Sequence, residues 1–367
     1  MNKRKNILFI LHVPPPVHGS SMVGKAIVES KLIANSFDCR YVNLLMSRTV
    51  SETGKPSFLK FFRFVGVWFK VLGQIILKKP DLCYLALTAT GTAFYKDVFL
   101  VVLLWIFNIK RVYHLHNKGI RKNQTKKINE LLYRFVFHKA SVILLSKQLY
   151  YDVKTFVPAS NVYICPNGIK DPIGNIKQHL VKPVKPVKIL FLSNLHEAKG
   201  VYVLLKACIL LQQKGLDFEC NFVGGEGDIG REQFLKFLIK NNLTGCVKYS
   251  GQLFNEAKQQ AFSEADIFAF PTLFETFGLV NLEAMQHYLP VVSTPEGGIP
   301  DVVENGVTGY LTPTNDAEAL AEKLNILINN PELRVKMGKA GRQKYEKEFT
   351  LEIFEQNLNK ILQKSIE

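Results

Sequence analysis

The sequence has no C-x-x-C pair, no paired-histidine spacing and no Asp-x-Asp triplet. Its six cysteines, at 39, 83, 165, 208, 220 and 246, are scattered. This argues against a zinc ribbon or a disulfide framework and leaves buried free thiols in a reducing compartment. Long apolar runs are also missing. The longest, residues 98–109, is 12 residues without a charge, where a spanning helix needs about 20, so a buried helix is expected there. The first residues are basic and then apolar, but the apolar run 7–11 ends in His12 and three prolines with no small-residue cleavage site. It reads as a first strand and not as a secretory leader. No repeat is evident beyond a short Val-Lys-Pro tract. Acidic residues are scarce in one half only: residues 1–187 hold 8 Asp+Glu against 29 Lys+Arg, whereas residues 188–367 hold 23 against 18.

What is present is an ordinary globular composition, 47% hydrophobic over 367 residues, long enough for two domains. The basic half suggests an extended anionic partner for that half. An anionic membrane surface and nucleic acid both fit the charge, but no recognisable nucleic-acid reader module occurs, and nucleic acid is not expected. Residues 58–77 mix Lys60, Arg63 and Lys70 with Phe58, Phe61, Phe62, Phe64, Trp68 and Phe69, with Lys78 and Lys79 following. Such a basic aromatic helix suits a membrane interface. It equally suits a helix packed on a sheet with snorkelling lysines.

Residues 171–187 carry Pro172, Gly174, Pro183 and Pro186 and read as an extended linker. Beyond it, strand-like segments at 188–193, 218–224, 247–251, 266–271, 291–294 and 310–311 alternate with helix-like segments at 201–214, 231–241 and 255–264. Three terminal helices follow at 315–330, 331–347 and 351–364. Before the linker, strands are expected at 6–13, 39–44, 81–87, 111–115, 141–145 and 161–165, with helices at 98–109 and 126–138. The expected class is α/β with two Rossmann-like, doubly wound domains, residues 1–170 and 188–350.

The densest stretch is 270–285, Phe-Pro-Thr-Leu-Phe-Glu-Thr-Phe-Gly-Leu-Val-Asn-Leu-Glu-Ala-Met. Glu275 should lie in a loop at the carboxyl end of a strand, with a helix starting near Gly278. The first N–H groups of that helix and its positive dipole end would suit a phosphate. Glu283 falls on the same helix. The bare pair could be two solvated positions.

Its context resembles the E-x7-E motif of the retaining nucleotide-sugar glycosyltransferases called family 4, which have the GT-B fold. The segments 293–301 and 306–311 resemble the stretches downstream of that motif in the family. The resemblance implies a cleft between two domains and a last helix, 351–367, that returns to the first. It implies a retaining, metal-independent hexosyl- or other glycosyltransferase that moves a sugar from a nucleotide diphosphate onto a lipid-linked or polysaccharide acceptor in bacterial surface-polysaccharide assembly. No cofactor is expected beyond the donor substrate. By the same resemblance Lys199, just before Gly200, would neutralise the donor diphosphate. Glu275 would orient the donor sugar, Glu283 would take the ribose, and the backbone of Phe277, Gly278 and Leu279 the distal phosphate. Asn194 stands where the family commonly has Arg, which breaks the usual two-cation clamp. Gly224 follows a strand where relatives hold the nucleotide, and Cys165 to Ile169 resembles a P-N-G segment read as architecture. The loop from His12 to Ser21 resembles the acceptor loop, with Gly19 and Ser20 on the acceptor side and His116 contacting the donor sugar. The implied place is the cytoplasm, at the inner face of the cell membrane. Another sugar-nucleotide enzyme such as an epimerase, and a membrane- or nucleic-acid-associating protein without catalysis, are the alternatives.

Overall fold

The computed structural model describes residues 4–15, 17–44, 58–172 and 186–367, with the side chains of 58–61 left out. The expected linker therefore lies almost entirely outside the described residues, as does the side chain of Lys60. The chain divides into two compact units, Met1–Gly168 with Leu351–Glu367, and Ile169–Thr350.

The first unit is built on β1 (Asn6–Leu11), β2 (Asp38–Asn43), β3 (Leu82–Leu85), β4 (Lys110–Leu115), β5 (Ser141–Leu144) and β6 (Val162–Ile164). They form one parallel sheet in the order β2-β1-β3-β4-β5-β6. β1 and β3 are buried at every residue, as expected of a parallel sheet covered on both faces. The helices are α1 (Gly19–Glu29), α2 (Lys31–Ser36), α3 (Phe58–Leu77), α4 (Gly91–Ile106), α5 (Ile120–Asn123), α6 (Lys127–Phe137) and α7 (Tyr150–Val153). Helix α4 begins earlier and ends sooner than the apolar run suggests. Asn108 takes a left-handed φ of 46° and terminates it. It is also not wholly buried: Leu100, Val101, Leu103 and Leu104 face the sheet while Phe99, Trp105 and Ile106 are exposed.

The second unit repeats the plan with β7 (Val187–Leu192), β8 (Phe218–Val223), β9 (Val247–Gly251), β10 (Ile267–Phe270), β11 (Val291–Ser293) and β12 (Gly309–Leu311). All are parallel, in the order β12-β11-β10-β7-β8-β9. Its helices are α8 (Val201–Gln213), α9 (Arg231–Lys240), α10 (Asn255–Glu264), α11 (Leu279–Gln286), α12 (Ile299–Val302), α13 (Ala317–Asn329) and α14 (Pro331–Glu348). The last helix, α15 (Leu351–Ile366), belongs to the first unit. Its Phe354, Leu358, Ile361 and Leu362 join the core made by Ile7, Phe9, Leu11, Tyr84 and Val112.

Arg342 ties down the start and end of the second unit. Its guanidinium is 4% exposed and pairs with Asp171 and, at 2.7 Å, with Glu346. It also donates to the carbonyl of Gln286 at 3.2 Å and lies against the rings of Tyr288 and Tyr345. Tyr345 in turn donates to the carbonyl of Ile169 at 2.8 Å. Removing one member of a buried pair leaves the others uncompensated. Arg342→Met is expected to destabilise this unit by about 3 kcal/mol. Calorimetry should show its transition lowered, with tryptophan emission, which reports the other unit through Trp68 and Trp105, unchanged through that transition.

Candidate functional site

Strand order reverses direction in the second unit between β7 and β10, which lie side by side. Ligands of open α/β sheets bind beyond the carboxyl ends of strands at such a switch point, and both loops there carry expected site residues. The chain leaving β7 runs through Asn194 to Lys199 and then enters α8 at Gly200. The chain leaving β10 runs through Pro271 to Phe277 and enters α11 at Gly278. The loops are bonded to each other: the carbonyl of Ala198 accepts from Leu273 N at 2.9 Å, Phe274 N at 3.1 Å and Thr272 Oγ1 at 3.1 Å. Glycine is required at 200, where φ is +80° and a Cβ would stand 1.9 Å from the Pro271 carbonyl oxygen.

That closeness brings Lys199 to Glu275. The ammonium donates to Oε2 at 2.8 Å and to the Phe274 carbonyl at 3.1 Å, and lies 5.9 Å from the Phe270 ring centre. Oε1 of Glu275 accepts from Thr276 N at 2.9 Å. Behind it, Gly297 (φ +57°) lets a second chain segment cross, since a Cβ there would meet the Glu275 carbonyl oxygen at 2.3 Å. The side chains of Lys199 and Glu275 are 26% and 21% exposed, so the pair is mostly shielded yet reachable.

Glu283 is held separately. Its Oε1 accepts from Lys258 of α10 at 2.6 Å, while its Oε2 is buried without a hydrogen-bond partner. Nothing in the sequence marked Lys258, because only the packing of α10 beside α11 makes it a neighbour. Helix α11 opens on Gly278 at φ +82° with no side-chain cap, so its first N–H groups are open to an anion. Phe277 turns its ring inward onto Phe349, 6.2 Å away, so only its backbone is available at the site. Asn281, on the same first turn, was not singled out by the sequence. It is fully buried with both amide atoms unpaired.

Asn194 has a different task from an arginine. Its Oδ1 accepts from Gly225 N at 3.0 Å, fixing the glycine turn and leaving its Nδ2 as the donor. Gly224 closes that turn at φ +153°, where a Cβ would be 1.9 Å from the Ser193 carbonyl oxygen. The two are thus brought together by the adjacency of β7 and β8.

In the first unit a histidine cluster forms at the carboxyl ends of β1 and β4. The rings of His114 and His116 are 4.2 Å apart, and those of His12 and His18 are 6.0 Å apart. His114 is completely buried, with Nδ1 2.7 Å from the Tyr84 hydroxyl, and is core. His116 is only partly covered, but its Nδ1 is buried and unpaired. His18 caps α1 by accepting from Ser21 N at 3.3 Å. Gly19 is the first residue of α1, and the Ser20 hydroxyl lies 3.0 Å from His18 Nδ1. Asp152 fastens the loop after His116 by accepting from Gly119 N, Ile120 N and Arg121 N at 2.7, 3.1 and 2.9 Å.

Burial, then the neighbouring His18 and Lys96, push His12 down to about 4. Burial, then His12 and His18, push His116 down to about 3. His114 is driven well below the usual histidine value by burial and His116. All three rings are neutral near neutrality. The unfolded chain takes up protons on them first, so their stabilisation is present above about pH 6.5 and lost as pH falls toward their folded values. Asp97 works in the opposite sense, because burial raises it to about 7 against a backbone bond from Thr88. It stabilises as pH falls from about 7 to 4. Three imidazoles outweigh one carboxyl. The first unit should lose about 2 kcal/mol of stability per pH unit between about pH 6 and 5. Denaturant unfolding followed by tryptophan emission checks this; flat stability across that range would contradict it.

Residues 172–344 match the family model described as glycosyl transferases group 1. The chain is similar to an amylovoran biosynthesis glycosyltransferase of Erwinia amylovora, 31% identical over 263 residues, covering 70% of this chain and 64% of that protein. It is also similar to a putative colanic acid biosynthesis glycosyltransferase of Escherichia coli, 32% identical over 191 residues, 49% of this chain and 46% of that one. The matched segments thus span about half to two thirds of these curated relatives. Among solved structures, Anabaena HepE in complex with UDP and glucose superposes with a TM-score of 0.70 at 20% identity, over 97% of this chain and 99% of that one. Residues 172–344 thus match the glycosyl transferases group 1 family, and the two parallel-sheet units have the GT-B fold.

Proposed function

We propose that the protein is a retaining glycosyltransferase that moves a sugar from a nucleotide diphosphate onto a lipid-linked or polysaccharide acceptor in cell-surface glycan assembly. The observation that carries this reading is the Lys199–Glu275 pair, set across the β7 and β10 loops beside the open start of α11. The similar proteins from Erwinia and Escherichia are named for polysaccharide biosynthesis, and the Anabaena structure holds UDP and glucose.

Departure of a nucleoside diphosphate builds negative charge on the leaving oxygens. Lys199, released from Glu275 by an incoming diphosphate, stabilises that charge where it develops. The backbone N–H groups of Gly278 and Leu279 take the distal phosphate, and the Nδ2 of Asn194 adds a neutral donor in place of an arginine. Glu275 then orients the sugar hydroxyls. The unpaired Oε2 of Glu283 accepts from the ribose, while Lys258 keeps its other oxygen occupied. No second carboxylate is assigned as a covalent nucleophile. The acceptor therefore attacks on the face the diphosphate leaves, and the departing phosphate takes its proton, which retains configuration. Neutral His116 contacts the donor sugar, and Gly19 and Ser20 face the acceptor. Positive charge comes from Lys199 and the helix start, so a divalent cation is not required.

The basic first unit, with 29 Lys+Arg against 8 Asp+Glu over residues 1–187, works in this reading from the cytoplasm at an anionic membrane surface, where a lipid-linked acceptor resides. No helix among the described residues is long and apolar enough to cross a membrane. In this reading the association is peripheral.

A screen of donor hydrolysis across nucleotide sugars identifies the donor. With it, Lys199→Ala and Glu275→Ala should each lower turnover at least about a hundredfold while the fold survives; near-normal turnover in both removes the assignment. Glu283→Gln should weaken nucleoside diphosphate binding by about tenfold or more, since a hydrogen bond to a charged group contributes about 1.5–3 kcal/mol. Unchanged affinity by calorimetry would take Glu283 out of the site.

A further inference from the structure

Helices on a parallel sheet bury one stripe and present polar residues on the other. Helix α3 does not. Its inward stripe is Phe64, Val67, Val71 and Ile75, all buried. Its outward stripe carries Phe62, Phe69 and Ile76 at seven-residue spacing, with Gly66 and Gly73 between them and open space around both glycines. Helix α4 repeats this outward, with Phe99, Trp105 and Ile106. These six side chains are each between 56% and 66% exposed. The two helices adjoin: the rings of Phe64 and Phe99 meet at 6.2 Å. A 20-residue α3 is about 30 Å long, so the combined face is a broad apolar strip of the kind that marks an interaction surface.

Its charge selects the occupant. The strip is edged by Arg63, Lys70, Lys79 and Lys96, α3 contains no Asp or Glu, and the one acidic residue of α4, Asp97, is buried. A second copy laid on this face would set basic residues against basic residues. Anionic lipid headgroups neutralise them while the apolar side chains enter the acyl boundary.

We propose that the outward faces of α3 and α4 insert into the interfacial layer of an anionic bilayer, which rests on the membrane association proposed above and adds to it an apolar, salt-resistant component. The start of α4 adjoins the first unit's histidine cluster, since Thr90, just before α4, accepts from Asn117 Nδ2 at 3.3 Å and Asn117 follows His116, while Trp105 and Ile106 lie at the helix's other end.

The test uses the full chain with vesicles of phosphatidylcholine, alone or mixed with phosphatidylglycerol. In a Trp68→Phe background, Trp105 is the only tryptophan. On anionic vesicles its emission should shift to the blue and be quenched by brominated acyl chains. A triple variant, Phe69→Ser, Ile76→Ser and Ile106→Ser, alters only exposed positions. It should keep its thermal unfolding and its donor hydrolysis in solution, yet partition about a hundredfold less. Wild type should stay partly bound at high salt. Full release of wild type by salt with no blue shift overturns insertion and leaves electrostatic association standing. Failure to bind at low salt removes both. A wild-type dimer that the triple variant dissolves reassigns the face to self-association. Loss of donor hydrolysis in the wild type with vesicle binding intact strikes the proposed reaction and leaves the docking face.

Discussion

One carbonyl oxygen organises the candidate site of the second unit. Ala198 accepts from two backbone N–H groups and a hydroxyl of the loop leaving β10, and so locks that loop to the one leaving β7. Parallel neighbours end at the same edge of their sheet, so their loops must share space there. Gly200 yields that space by having no side chain. The Lys199–Glu275 contact, the crossing at Gly297 and the entry into α11 all follow from it. A side chain at 200 would separate the loops and with them the two charges.

The charges come in pairs of matched sign. Each carboxylate of the E-x7-E stretch has its own lysine, Lys199 for Glu275 and Lys258 for Glu283. The site is therefore close to neutral when empty, and neither carboxylate is an isolated charge in a shielded place, which would be costly. In the proposed reaction an arriving diphosphate competes with Glu275 for Lys199, so that binding and the freeing of Glu275 are one event. The carboxyl edge of the other unit is built differently. Its histidines are neutral, and a carboxylate, Asp152, serves backbone donors.

The two units differ as sharply on their outer surfaces. The first exposes apolar side chains on α3 and α4 within a basic rim, against the usual sense of helix amphipathicity. The sequence showed the basic and aromatic residues of α3 but not which way they turn, because apolar side chains lie on both of its faces and periodicity alone does not say which stripe is buried. Helix α4, where the sequence predicts a buried helix, likewise carries apolar residues on both faces.

Much was legible beforehand. Among the described residues twelve strands alternate with helices in a pattern of short apolar runs that suits a parallel α/β architecture, and the observed strands differ from the expected spans by a few residues at their ends. The E-x7-E stretch marked its own loop and helix, since a strand ending at Phe270 and a glycine at 278 leave little choice of local structure. Strand order, by contrast, was not legible. It decided that β10 lies beside β7 and that Lys199 therefore meets a carboxylate 76 residues away. It also decided that Asn194 holds a glycine turn and that Lys258 guards Glu283. Periodicity is a property of consecutive residues and survives in a string of letters. Pairing between distant residues is a property of how sheets and helices pack, and only the folded chain contains it.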